Sequence, residues 1–307
     1  MTAITAEHVT KRFGGFEAVS DVSFEVPSGQ LLAVLGPNGA GKTTTLEMLE
    51  GFSAPTSGSL RVLGADPHRG GRAWRARIGL VLQSTSLDPS LTVRDTLTLF
   101  AGLYPDPWPV SAAIEMADLA ADARTKVGVL SGGQRRRVDL AIGIIGRPEV
   151  LFLDEPTTSL DPEARRRTWT AIENLATAGT TIVLTTQYID EADHLAERIL
   201  VLADGRIAAD TTPARLRAQA GPAAIRYVLE DPDTARALPS RLAPHLEPDG
   251  CTLLIRTTDL TGVLRELSSF ADAHRLSLAG LEVGPPSLEE AYLTVIDSHA
   301  LQEEART

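Results

Sequence analysis

Only one cysteine, Cys251, occurs in 307 residues, so an internal disulfide is excluded. With nothing beside it to activate a thiol, it reads as a small, half-buried strand residue. Lysine is nearly missing too: Lys11, Lys42 and Lys126 are the whole supply, and arginine carries the rest of the positive charge. That charge is in deficit overall, with a formal net charge of -11, which gives no footing for nucleic acid or an anionic membrane surface. Long hydrophobic runs are absent. Segments such as LLAVL fall far short of the roughly 20 residues that span a bilayer. The N-terminus, MTAITAEHV, has no basic stretch followed by an apolar one, so no signal peptide is expected. Heptads, solenoid repeats and low-complexity tracts are also lacking. The expectation is a cytoplasmic protein that would sit on the inner face of a membrane only through a partner.

What is present is a chain 43% hydrophobic and long enough for one large domain or two. Short alternating runs open it, VSFEV among them, followed by the continuously apolar LLAVL. VLFLDEP and TIVLTT have the same fully apolar character, as buried parallel strands do. Helices are expected over about residues 162–178 and 189–197, and RILVLADGRIAAD reads as a hairpin around Asp204-Gly205. This alternation predicts an α/β layered domain ending near Gly221-Pro222. Residues 222–307 then read as a small α+β module, ferredoxin-like in its pattern.

Three segments carry chemistry. Gly36-Pro37-Asn38-Gly39-Ala40-Gly41-Lys42-Thr43 fits G-x-x-x-x-G-K-[ST] after a strand and opens a helix. Its glycines free backbone N–H groups to curl round phosphate, and the helix N-terminus favours the anion. Lys42 would reach the β- and γ-phosphates, the Thr43 hydroxyl would hold Mg²⁺, and Thr44 would touch the α-phosphate. Asp154 ends the apolar VLFLD run, where an open α/β sheet presents ligand groups, and an acid there holds Mg²⁺. Glu155 adjoins it and can polarise an attacking water. Leu130-Ser131-Gly132-Gly133-Gln134 precedes an amphipathic helix and makes a second anion site. Two phosphate-grasping loops in one domain make sense if the second serves a nucleotide held by another copy.

On these motifs, residues 4–215 resemble the ATP-binding-cassette ATPases. GPNGAGKTT is similar to the Walker A loop, LFLDEP to Walker B, LSGGQ to the family signature, and Ser159-Leu160-Asp161 to the D-loop. Gln83 resembles the Q-loop glutamine, which contacts Mg²⁺ and the transport partner. Phe13 sits where the family places an aromatic that stacks on adenine. The resemblance implies a P-loop NTPase fold with a RecA-like core, an antiparallel β subdomain and a helical subdomain over about 86–145. It implies ATP and Mg²⁺ as cofactors, and a head-to-tail homodimer clamping two ATP molecules that drives integral membrane permease subunits. At the finer level, TTQYIDEADHLAERI and SLEEAYL are similar to ATP-binding subunits of daunorubicin-resistance-type exporters with separate ABC-2 membrane subunits. Drug or antibiotic export is then implied. A ribosome- or DNA-associated cassette ATPase and an importer subunit stand as alternatives.

One position departs from the family. Where a histidine usually contacts the γ-phosphate, this chain has Gln187, a neutral amide with two N–H donors and one acceptor. Either the site hydrolyses weakly, or Glu155 is the base and Gln187 senses phosphate. The second is favoured because the other catalytic positions are filled. His194 is read as a surface residue. The arginine runs 135–137 and 165–167 are read as solvated helical faces. For the C-terminal module, structural padding stands against a role in dimerisation or subunit docking. Ser287 is expected to cap its last helix with Glu290.

Overall fold

The computed structural model describes residues 1–82, 86–158, 160–229, 232–246 and 251–304. Gln83 and Ser159 lie outside the described residues. Two compact units emerge, one of residues 1–213 joined by the end of the chain from His299, the other of residues 214–298. The division falls at Pro213, ahead of the expected Gly221, so the helix over residues 213–219 groups mostly with the second unit.

In the first unit, β1 (Thr2–Phe13), β2 (Phe16–Pro27) and β4 (Ser57–Val62) make an antiparallel sheet in the order β2-β1-β4. A second sheet combines β3 (Leu31–Leu35), β5 (Ile78–Val81), β6 (Val150–Asp154), β7 (Thr181–Thr185), β8 (Arg198–Ala203) and β9 (Arg206–Thr211). Its order is β5-β6-β7-β3-β8-β9, parallel except for the β8–β9 hairpin. β3 and β7 are buried along their whole length because both faces of the sheet are covered. On one face, Ile4, Val22 and Phe24 of the antiparallel sheet meet Val34, Phe152 and Val183. Leu46 and Met48 of α1 (Lys42–Glu50) complete that core.

The helices α2 (Arg72–Arg75), α3 (Val93–Ala101), α4 (Val110–Met116) and α5 (Gly132–Ile144) follow. The last three share a separate core of Val93, Leu97, Ile114, Leu119, Val138 and Ala141. A Thr92–Asp95 capping box starts α3. α6 (Pro162–Thr177) buries Ala171, Ile172 and Leu175, and α7 (Ile189–Leu195) buries Ala192 and Leu195. No described helix is long and apolar enough to cross a membrane.

The second unit holds most of α8 (Pro213–Gln219), β10 (Ala224–Val228), α9 (Pro232–Arg236), β11 (Thr252–Arg256), α10 (Leu260–His274), β12 (Glu282–Gly284) and α11 (Leu288–Glu304) as far as Ser298. Its strands pair antiparallel in the order β11-β10-β12, with Ile225, Tyr227, Leu253, Ile255, Leu267 and Phe270 beneath. Among the described residues three antiparallel strands combine with helices, an α+β arrangement. Within LSLAGLEV only the last residues pair, while Leu276, Leu278 and Leu281 reach the core from outside a strand. Ser287 and Glu290 do exchange the expected cap, backbone N–H to side chain in both directions. Cys251 is half-buried just before β11.

Candidate functional site: a phosphate cradle beside two carboxylates

Strand register decides which loops meet. Val34 of β3 and Asp154 of β6 both lie opposite Thr185 of β7. The three parallel strands therefore end level, and the segments after them, from Gly36, Glu155 and Thr186, emerge along one edge.

The loop after β3 is shaped by what its glycines omit. A Cβ on Gly36 would collide with the Leu202 carbonyl oxygen, and one on Gly41 would stand 2.5 Å from that of Ala18. Gly41 has φ +95°, a left-handed conformation that caps α1 and that side chains disfavour. Gly39, at φ +84°, has open space where its Cβ would be. Pro37, Asn38 and Gly39 are exposed while Gly36 and Ala40 are buried, so the loop is anchored at both ends with an open middle. Lys42, only 7% exposed, donates from Nζ to the carbonyls of Gly36 at 2.7 Å and Pro37 at 3.0 Å. Burial lowers its pKa, and the carboxylates of Glu155 and Asp154 oppose that. Thr43 is exposed and Thr44 half-buried on the first turn, which contains no acid. A glycine-rich loop with an exposed middle, one ammonium and a helix N-terminus fits a polyphosphate.

Asp154 ends β6 half-buried, and its Oδ1 accepts from Thr185 Oγ1 at 2.6 Å. Glu155 has φ +45°, which costs a residue bearing a Cβ about 1–2 kcal/mol. Its N–H donates to the Thr185 carbonyl at 3.0 Å and to Thr185 Oγ1 at 3.2 Å, and its Oε2 accepts from Thr158 Oγ1 at 3.0 Å. The bend is further held by Arg136. From α5, this guanidinium donates to the carbonyls of Leu82, Asp154, Glu155 and Pro156. Burial pulls its pKa down, while Asp139, Asp154, Glu191 and Glu155 pull it up.

The reading of residues 135–137 as a solvated face is thereby corrected. Arg135 is exposed, but Arg136 and Arg137 are 8% and 4% exposed. The signal lay in the helix period: Val138, Ala141 and Ile144 face inward, and stepping back by one turn brings 137 and then 133 onto that face. In the second arginine run, Arg165 stacks over the Tyr188 ring at 4.6 Å, and Arg167 pairs with Glu163 and Asp118 at the surface.

Gln187 is exposed at the level edge, directly after the buried Thr186, whose N–H donates to the Val34 carbonyl at 3.3 Å. Tyr188 N–H turns back onto Thr186 Oγ1 at 3.0 Å, which starts α7. Glu191 lies in the stretch that the sequence marks only as a helix over about 189–197, and nothing local singles it out. It is fully buried, its Oε1 accepts from Trp169 Nε1 at 3.0 Å, and burial raises its pKa. His194 lies on the outer side, 3.4 Å from Glu173 and against the Trp169 ring.

Ser131 and Gln134 form a reciprocal cap at the start of α5, and Gln134 Nε2 also donates to Asp122 at 2.9 Å. Gly132 is exposed. Gly133 abuts α6, where a Cβ would stand 2.6 Å from that of Ala164. Asp161 caps α6 through the N–H groups of Glu163 and Ala164. These residues enclose an open hollow of about 280 Å³ lined by Ser131, Gly133, Gln134, Arg137 and Asp161, and the loop 36–44 contributes nothing to it. Phe13, 52% exposed at the tip of β1, has Lys11 Nζ 5.0 Å from its ring centre. The structure thus gathers Lys42, Asp154, Glu155 and Gln187 at one edge, and groups the signature with Asp161 elsewhere.

A family model described as "ABC transporter" matches residues 19–158. The daunorubicin resistance ATP-binding protein DrrA3 of Streptomyces coeruleorubidus is 39% identical over 304 residues, covering 95% of each chain. A Nod factor export ATP-binding protein I of Paraburkholderia xenovorans is 38% identical, covering 95% of this chain and 96% of its own. Among solved structures, a dimeric bacterial ABC transporter cassette is 28% identical with a TM-score of 0.61, covering 68% of this chain and 98% of its own. An ATP-binding subunit of an ABC transporter, 23% identical, shares the fold at a TM-score of 0.63 over 71% of this chain and 92% of its own. With its level-ended sheet, glycine cradle and paired carboxylates, this chain belongs to the ABC transporter family as one of its ATP-binding-cassette ATPases.

Proposed function

We propose that the chain energises a separately encoded ABC-2-type membrane exporter of drugs, antibiotics or other hydrophobic compounds, working as a homodimer on the inner face of the membrane. One observation carries the chemistry: strands β3, β6 and β7 end in register, so Lys42, Asp154, Glu155 and Gln187 serve one bound triphosphate. In this reading the loop from Gly36 to Thr44 binds the phosphates, and Phe13 stacks on the base. Thr43, Asp154 and Gln83 would hold Mg²⁺, which supplies charge neutralisation at the phosphates. Glu155 takes a proton from the attacking water, and the Gln187 amide orients that water and reads the γ-phosphate.

The exposed tip Ser131–Gln134, with Asp161 beside it, serves the nucleotide of the second copy. Support comes from its separation from the Lys42 cradle and from the dimeric cassette named above. Closure of the pair round ATP then shifts a two-state equilibrium that a permease follows. Both relatives are named for resistance or export, which favours the exporter over a ribosome- or DNA-associated ATPase or an importer subunit. For the C-terminal module, a docking role is supported by an open hollow of about 480 Å³ between its sheet and the start of α11.

The test is Glu155→Gln in the full chain with saturating ATP and Mg²⁺. Turnover is expected to fall by at least about 10²-fold, and the protein to run as a dimer. A variant that stays strictly monomeric, with and without its membrane partner, overturns the reading.

A further inference from the structure

Three consecutive carbonyls, those of Asp154, Glu155 and Pro156, point at one cation, the Arg136 guanidinium, and the carbonyl of Leu82 joins them. Consecutive carbonyls on an extended strand point to opposite sides. Their convergence here requires the backbone to turn, and Glu155 is where it does so, at φ +45°. The same turn swings the Glu155 side chain out of the strand direction, to where Thr158 meets it. Arg136 therefore accompanies the one backbone distortion that aims the proposed base.

The donor of this clamp is equally telling. Arg136 lies on α5, five residues beyond Ser131, on the helix whose first turn is the signature tip. α5 is fixed against the sheet at a second point, where a Cβ on Gly79 of β5 would collide with the Gly143 carbonyl. A shift of α5 along the sheet must move the guanidinium relative to four acceptors or carry the β6 end with it. Leu82, which precedes Gln83 in the sequence, has its carbonyl held by the same group.

We propose that Arg136 is a positioning residue that couples the signature helix to the catalytic acid, holding Glu155 in its working orientation and transmitting movement of α5 to it. The proposal rests on Glu155 acting as the base. Arg136 touches no substrate; it works through the Asp154–Pro156 backbone. An ammonium cannot replace it, because a lysine presents three donors from one point where this site takes a planar fork from several directions.

The experiment compares the wild type, Arg136→Lys, Glu155→Gln and the double variant, all as full-length chains, by steady-state ATPase, single-turnover phosphate release and thermal melting. Arg136→Lys is expected to lower kcat by about 10- to 100-fold with KM for ATP within about three-fold. The double variant is expected to be no slower than Glu155→Gln within about three-fold, since the two residues act as one unit. Equal proportional losses in both backgrounds, or a rise in KM at constant kcat, overturn the coupling while leaving Glu155 as the base. Glu155→Gln at the wild-type rate overturns the base assignment and the coupling together. If Arg136→Lys does not fold, Arg136→Gln takes its place. If neither folds, Arg136 is a determinant of folding and the proposal is wrong.

Discussion

Thr185 faces Asp154 across the β6–β7 pair, and its hydroxyl donates to the Asp154 carboxylate at 2.6 Å. The same hydroxyl oxygen accepts from the Glu155 N–H at 3.2 Å. One small side chain thus holds the Asp154 carboxylate, by donating to it, and the Glu155 backbone, by accepting from it. Replacing Thr185 with valine keeps the β-branched shape and removes both contacts. The expected result is a fall in kcat of about 10-fold, near the 1.4 kcal/mol of one hydrogen bond to a charged group. The Mg²⁺ concentration for half-maximal activity should rise several-fold as Asp154 loses its orientation. An unchanged Mg²⁺ titration would detach Thr185 from the metal ligand.

Gln187 stands exposed at the strand edge with the buried Thr186 behind it. Gln187→Ala is expected to slow turnover by about 10²-fold, the scale of one aligned donor at a developing charge. Affinity for ATP should hold, because the cradle carries the binding. A Gln187→Ala protein that turns over at the wild-type rate would remove the residue from the mechanism.

Glu50 ends α1 inside the core, 7% exposed. Burial first, then the Asp154 and Glu47 carboxylates, pushes its pKa from 4.5 up to about 8. The folded state therefore holds a proton there that the unfolded chain releases. Its contribution is fully present below about pH 4.5 and is lost as pH rises through about 8. Glu50→Gln should match the wild type in melting temperature near pH 5 and exceed it at pH 9, by about 4 kcal/mol in stability. Equal melting curves across that range would show that Glu50 finds water or a cation in solution.

How much of the site was legible depends on whether its chemistry is local. The Gly36–Thr43 loop could be read from spacing because glycine, lysine and threonine act there through their own backbone and side chains. The second sheet was equally plain, since LLAVL, VLFL and TIVLT are apolar without alternation. Arg136 and Glu191 were opaque for the opposite reason. Each is a charged residue in a charged stretch, which reads as solvated until packing shows what surrounds it.

By itself the sequence determined the phosphate-binding loop, the buried parallel strands and the acids at their ends, because glycine spacing and continuous apolar runs act within a few residues. Only the tertiary structure decided that β3, β6 and β7 end level, and that an arginine from α5 crosses to the bend at Glu155. Strand register and helix docking are set by contacts between residues far apart in the chain, and no local pattern records them.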